Sequence, residues 1–222
     1  MDKQPTVVVT IARQLGSGGG RIGLAVARRL GMKFADREIL QEAAKFLGME
    51  DRDLTRLEER VTSSWARAAQ VFLTGASEAD YSPPLMPLVY EEVLFKVESR
   101  IIREIATRDN VVVMGRAASH VLRDHPGLIS VFVHAPTAWR VARIMQARGI
   151  GDWAAAIELT QNSDHERARF VEWAAGRAWT DASGYHVCVN TAVVDHDAAV
   201  DLIATLVSRR MAERRTEPAG TP

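Results

Sequence analysis

The stretch Gly16-Ser17-Gly18-Gly19-Gly20 lies between a short β-branched run, Val7-Val8-Val9-Thr10-Ile11, and a helical repeat of Ile22, Val26, Ala27 and Leu30 that Gly31 stops. A strand, a glycine turn and a helix together suit phosphate. Glycine permits positive φ and close backbone approach, and a helix N-terminus offers N–H groups and the positive end of its dipole. Two ligand-binding patterns compete for these residues, with a plain structural turn as the third reading. The phosphate loop G-x-x-x-x-G-K-[ST] asks for a lysine; here there is none, and Arg21 is the only cation after the glycines. The dinucleotide fingerprint G-x-G-x-x-G fits Gly18, Gly20 and Gly23, with Asp36 where a ribose-binding acid would stand.

Later segments bring further cations to the same positions relative to strands. Arg116 follows the run Val111-Val112-Val113-Met114. Arg140 and Arg143 follow Ile129-Ser130-Val131-Phe132-Val133 and share one helical face opposite Val141, Ile144 and Met145. Asp164 and Arg167 are spaced to meet on a helix. Each residue alone reads as an ordinary surface group. Together they suit an anion with several phosphates, because guanidinium binds phosphate oxygens bidentately. We expect Arg116, Arg143 and Arg167 to converge on one pocket.

Other chemistry is set aside. The six histidines have no metal-ligand spacing, and the single cysteine, Cys188, sits in an apolar run and reads as inert. Ser17 has no histidine and carboxylate placed beside it by the sequence, so a nucleophile is not expected. Trp65, Trp139, Trp153, Trp173 and Trp179 read as core and helix-packing residues.

The 222 residues carry 28 basic and 28 acidic side chains, which argues against a broad nucleic-acid footprint. Lysine occurs only at Lys3, Lys33, Lys45 and Lys96, so phosphate contacts fall to arginine and backbone N–H. At 47% hydrophobic and 25% charged, the composition is that of a globular protein. No signal region opens the chain and no apolar run approaches the roughly 20 residues of a membrane helix, so a cytoplasmic protein is expected.

The elements that must position these residues follow from periodicity. Lys33-Phe34-Ala35-Asp36 and Tyr185-His186-Val187-Cys188-Val189 complete five strands. Helices are expected over Arg37 to Leu47, Leu88 to Thr107, Thr137 to Arg148, from an Asp152 cap to about Ala175, and after an Asp195 cap. Ser82 to Pro87 reads as a loop. Short apolar strands alternating with helices predict a three-layer, doubly wound parallel sheet, whose ligands bind beyond the carboxyl ends of the strands.

These residues, in this order, resemble a known family. Ile11-Ala12-Arg13-Gln14-Leu15-Gly16-Ser17-Gly18-Gly19 resembles the opening of the cytidylate kinase-like family, relatives of bacterial cytidylate kinases. Phe34-Ala35-Asp36-Arg37-Glu38, Val113-Met114-Gly115-Arg116, Val133-His134-Ala135-Pro136, the Asp164/Arg167 pair and Trp179-Thr180-Asp181 through Asn190-Thr191 match as well. The resemblance implies a P-loop kinase fold that moves a phosphoryl group from ATP, carrying its Mg²⁺, to a nucleoside monophosphate. It implies one domain over residues 1–213 with an acceptor-binding helical insertion at about 50–108, a lid at about 137–177 and a flexible tail at 214–222. Arg13, Gly16, Ser17, Gly18, Gly19, Gly20, Arg21, Asn190 and Thr191 would bind the donor nucleotide. Asp36, Arg37, Arg116 and Arg140 would bind the acceptor side. Arg143, Asp164 and Arg167 would act in catalysis, with no protein-held metal.

Two departures stand out. The arginine that usually follows Gly-Ser-Gly-Gly is displaced to Arg21, and no basic residue precedes Asp164 in Thr160-Gln161-Asn162-Ser163. Phosphoryl transfer depends on positioning and charge neutralisation. A nucleotide binder with weak activity is therefore the first alternative, and a dinucleotide-dependent oxidoreductase the second.

Overall fold

The computed structural model of the chain describes residues 6–36 and 88–216. Arg37, Trp65, the helix expected over Arg37 to Leu47 and the Ser82 to Pro87 loop lie outside the described residues. Five strands form one all-parallel sheet: β1 (Val8–Arg13), β2 (Lys33–Ala35), β3 (Val111–Met114), β4 (Leu128–His134) and β5 (Val187–Asn190), in the order β2-β3-β1-β4-β5. The helices are α1 (Gly19–Leu30), α2 (Leu88–Arg108), α3 (Ala118–Val121), α4 (Thr137–Arg148), α5 (Trp153–Ala175) and α6 (His196–Thr216).

β1 is central because it is apolar on both faces. Val7, Val9 and Ile11 pack with Ile22 and Val26 of α1 and Ile203 and Val207 of α6. Val8 packs on the other face with Val111, Val113, Ile102 and Ala106 of α2, and Ala118 and Val121 of α3. Each such side chain contributes about 1.5–3 kcal/mol when fully buried. A third cluster gathers Phe132, Trp179, Tyr185 and Val171 under the β4–β5 side.

The structure moves several boundaries. β1 runs on to Arg13, past the expected end at Ile11, which makes Arg13 a strand residue. β5 begins at Val187, because Tyr185 belongs to the turn after the 3₁₀ segment Ala182–Gly184. α6 continues to Thr216, two residues beyond the start expected for the tail. Of the tryptophans, Trp179 is core, but Trp153 and Trp173 are 44% and 45% exposed. Cys188 is exposed on the edge strand, with burial raising its thiol pKa. No helix of the described residues is long and apolar enough to cross a membrane.

The loop after β1 leaves toward α1 on one face, and the loop after β3 leaves toward α3 on the other. A crevice therefore opens between these two strand ends. At the opposite end of the sheet, His125 fastens β1 to β4. Its Nδ1 accepts the Gly127 N–H at 3.1 Å and its Nε2 lies 3.2 Å from Thr6 Oγ1. Gly127 in turn accepts the Val8 N–H through its carbonyl.

Accepting a proton at Nδ1 would break that fastening. Burial holds the His125 pKa below its ordinary 6.5; the Ala106 carbonyl opposes this and the Arg214 charge adds to it. A depressed base binds its proton first in the unfolded chain, so its contribution is intact above about pH 6.5 and lost as the pH falls. His120 and His134 are shifted the same way, each chiefly by burial. Thermal denaturation should therefore show the melting temperature falling from pH 7.5 to 5.5, with a smaller fall in His125→Asn.

Candidate functional site

The loop between β1 and α1 needs its glycines. Gly16 has φ +80° and Gly18 φ +87°, a region that side chains strain. At Gly16 a Cβ would also lie 2.9 Å from the Arg140 carbonyl oxygen. Gly18 is the N-cap of α1 with no capping side chain, and the Ile22 N–H gives the first bond back to the Gly18 carbonyl. The first turn of a helix carries N–H groups that no carbonyl of that helix can take, and the dipole adds partial positive charge there.

Neighbouring strand ends hold the loop's shape. Ser17 is fully buried and its hydroxyl donates to the Gln14 carbonyl at 2.8 Å, which agrees with its exclusion as a nucleophile. The Thr191 hydroxyl, just past β5, donates to the Ser17 carbonyl at 2.7 Å. Gln14 donates its N–H to Val133 and accepts the Ala135 N–H on its side-chain oxygen.

Leu15 is gripped at both peptide groups. Asp164 Oδ1 on α5 accepts its N–H at 3.0 Å, and Arg140 Nη1 on α4 donates to its carbonyl at 2.9 Å. Arg140 and Asp164 pair with each other at 2.8 Å, and Arg140 Nε donates to the Ala135 carbonyl. Arg140 is only 3% exposed. Arg140, expected on the acceptor side, turns these donors inward, beneath the loop. Asp164, expected in catalysis, likewise spends both oxygens on the loop and on Arg140. Arg167 Nη1 donates to the Arg13 carbonyl at 3.2 Å and lies 4.0 Å from Asp164 Oδ1.

Cations face the mouth of the loop. The Arg143 guanidinium lies against Gly18, with Nη2 3.6 Å from where a Cβ would be, and stacks on the Trp139 ring at 4.7 Å. Stacking leaves the charge intact while fixing its place. Arg13 passes over Gly19 to pair with Asp36 at 3.9 Å. Arg21 is exposed on the first turn of α1.

Across the crevice, Arg116 pairs with Glu98 of α2 at 3.4 Å. Glu98 is 1% exposed, and burial raises its pKa against the lowering pull of Arg116. Gly115, Arg116 and Ala117 are all left-handed, with φ of +67°, +55° and +48°. For the two non-glycine residues this costs about 1–3 kcal/mol each and persists only where surroundings enforce it.

Of the three arginines expected in one pocket, Arg143 and Arg167 stand at the loop. Arg116 stands one strand away against Glu98. Asn190 caps its own turn, accepting the Ala192 N–H on its side chain, so it and Thr191 shape the loop's surroundings. The reading of the sequence missed Glu98, Gln14 and Trp139. Only Trp139 had a visible signal, its i,i+4 spacing from Arg143. Among the described residues no group of three or more histidine, cysteine, aspartate or glutamate side chains could hold a metal ion.

The sequence model of the cytidylate kinase-like family matches residues 8–193. No curated protein matches the chain. Among solved structures, an uncharacterised protein from Eubacterium ventriosum superposes with a TM-score of 0.65 at 20% identity, over 91% of this chain and 99% of that one. A sugar kinase from Janibacter gives 0.51 at 15% identity, over 96% and 100%. A gluconokinase from Sinorhizobium meliloti gives 0.50 at 15%, over 95% and 98%. The fold is the P-loop kinase fold.

Arg140→Ala should cost about 3–5 kcal/mol, because it leaves Asp164 paired with nothing of opposite sign at that distance. The double variant Arg140→Ala/Asp164→Ala should lose clearly less than the sum of the two single losses. Urea denaturation of the four proteins measures both.

Proposed function

The chain belongs to the cytidylate kinase-like family, and on that footing we propose that it transfers the γ-phosphoryl group of MgATP to a nucleoside monophosphate. An oxygen of the acceptor phosphate attacks the γ-phosphorus, the bond to the β–γ bridging oxygen breaks, and ADP leaves. The observation that carries this reading is the start of α1, whose N-cap Gly18 carries no capping side chain, behind two left-handed glycines, with the Arg143 guanidinium laid against Gly18. Backbone N–H groups of Gly18, Gly19 and Gly20 cradle the donor phosphates. Arg143 and Arg167 neutralise charge on the transferring group, which is the main task of a protein in this chemistry. Asp164 and Arg140 act through the loop they hold. Asp36, Arg37 and Arg116 meet the acceptor across the crevice, and residues 137–177 form a lid. Mg²⁺ arrives with the nucleotide, since Gly20 offers no hydroxyl to it. We place the protein in the cytoplasm, acting on small molecules.

The dinucleotide reading loses its support in the strand order. In a Rossmann sheet the second strand lies beside the first. Here β3 separates them, so Asp36 stands two strands from the loop. A nucleotide binder with weak turnover is the second reading, favoured by the absence of a lysine among the glycines.

Calorimetry with ATP, ADP, CMP, other monophosphates and NAD, followed by a coupled assay for ADP release, separates these. We expect ADP and ATP to bind and NAD not to. Gly18→Val should abolish ADP binding, because valine cannot adopt φ +87° without strain. Arg167→Ala should cut turnover roughly 10³-fold, a far larger effect than its loss of stability. Binding without ADP release would select the second reading; release only with a sugar acid would move the acceptor class.

A further inference from the structure

Laid over G-x-x-x-x-G-K-[ST], the loop puts Arg13 at the first glycine, Gly18 at the second, Gly19 at the lysine and Gly20 at the hydroxyl. The two charge-changing departures, arginine for glycine and glycine for lysine, touch each other. A Cβ on Gly19 would lie 2.6 Å from Arg13 Cβ and 3.2 Å from both Arg13 Cγ and Val133 Cβ, so Arg13 is the nearest obstacle. Carbon atoms rest at about 3.5–4.0 Å, so side chains at 13 and 19 exclude each other.

The far end of Arg13 has the same requirement. Its Nη1 lies 2.6 Å from where a Cβ on Gly115 would be. Two missing side chains, one on the loop and one at the end of β3, thus make the channel in which Arg13 lies. That channel runs from the first turn of α1 across the crevice between β1 and β3, where donor and acceptor phosphates must meet. The Asp36 pairing at 3.9 Å is longer than a charge-assisted hydrogen bond of about 2.7–2.9 Å. The Arg13 carbonyl also takes the Arg167 N–H, which ties the two cations to one another.

We propose that Arg13 supplies, from the end of β1, the phosphate-binding charge that a lysine at position 19 supplies from the start of the helix. The cation has changed elements, and Gly19 is a glycine because Arg13, and less closely Val133, take up its side-chain space. This rests on the reading that the loop binds nucleotide phosphates.

The test is a cycle of Arg13→Gly, Gly19→Lys and the double variant, titrated with ADP and Mg²⁺ by calorimetry, with melting temperatures recorded for each. Arg13→Gly should weaken ADP binding roughly 10- to 100-fold, the worth of a charge-assisted hydrogen bond. Gly19→Lys alone should lose both affinity and stability, and the double variant should recover to within about tenfold of the parent. Arg13→Lys should keep more affinity than Arg13→Gly. On the steric side, Gly19→Ala should lower the melting temperature in the parent and by clearly less in the Arg13→Gly background, where the Val133 contact at 3.2 Å remains; this needs no ligand to read.

Unchanged ADP affinity in Arg13→Gly, or a double variant no better than the worse single one, overturns the proposal. So does equal loss in Arg13→Lys and Arg13→Gly. If the parent binds neither ADP nor ATP, the nucleotide reading fails and takes this one with it. If the parent binds but transfers nothing, only phosphoryl transfer fails, and the cycle still decides on Arg13.

Discussion

The amide and carbonyl of Leu15 are held from one side by Asp164 and Arg140, which are themselves paired. A glycine-rich loop has high conformational entropy, and ordering each residue costs about 1–2 kcal/mol. It can present its N–H groups to a ligand only if something else fixes it first. Here the anchors are the buried Arg140 of α4 and the half-buried Asp164 of α5, together with the Thr191 bond from beyond β5 and the Gln14 bonds to Val133 and Ala135. The geometry of the loop is thus carried by helices distant in sequence. Because α4 and α5 also bear Arg143 and Arg167, the segment that grips the loop is the one that brings charge to it.

The other arginines of the site are distributed by the same economy. Arg13 faces Asp36, Arg116 faces Glu98, and Arg140 faces Asp164, each pair joining two elements at the strand ends. A carboxylate beside each guanidinium keeps a dense cluster from repelling itself. Arg143 differs: among the described residues it has an aromatic face and no carboxylate beside it. Its positive charge is therefore the most available to an anion at the glycine loop.

The sheet and most helices were legible in the sequence because their signals are local: apolar runs of strand length, a repeat that Gly31 ends, an Asp152 cap whose side chain accepts the Ala154 N–H. The ends of elements were less legible. β1 extends to Arg13 because pairing with β4 continues to Val133, and a partner strand is invisible in a single chain. The roles within the site divide similarly. Arginine at a strand end is visible, but whether it turns outward to a ligand or inward to a carbonyl depends on the packing of residues more than a hundred positions away. Arg140 looked like Arg143, one turn apart on one helix face, and only burial separates them. The contact between Arg13 and Gly19 was equally hidden, since it lies between a strand and a helix start.

The two ends of the sheet also differ in what they can titrate. At one end His125 sits in a fastening that works only with the ring neutral. At the other, the charges that face the loop are guanidinium groups, which stay protonated at any pH a cell reaches. His134, beside Arg140, has its pKa lowered by burial and then by that charge. Acidity therefore acts on the scaffold at His125, while at the loop it reaches only the groups beside the guanidinium ions, Glu98 and His134 among them.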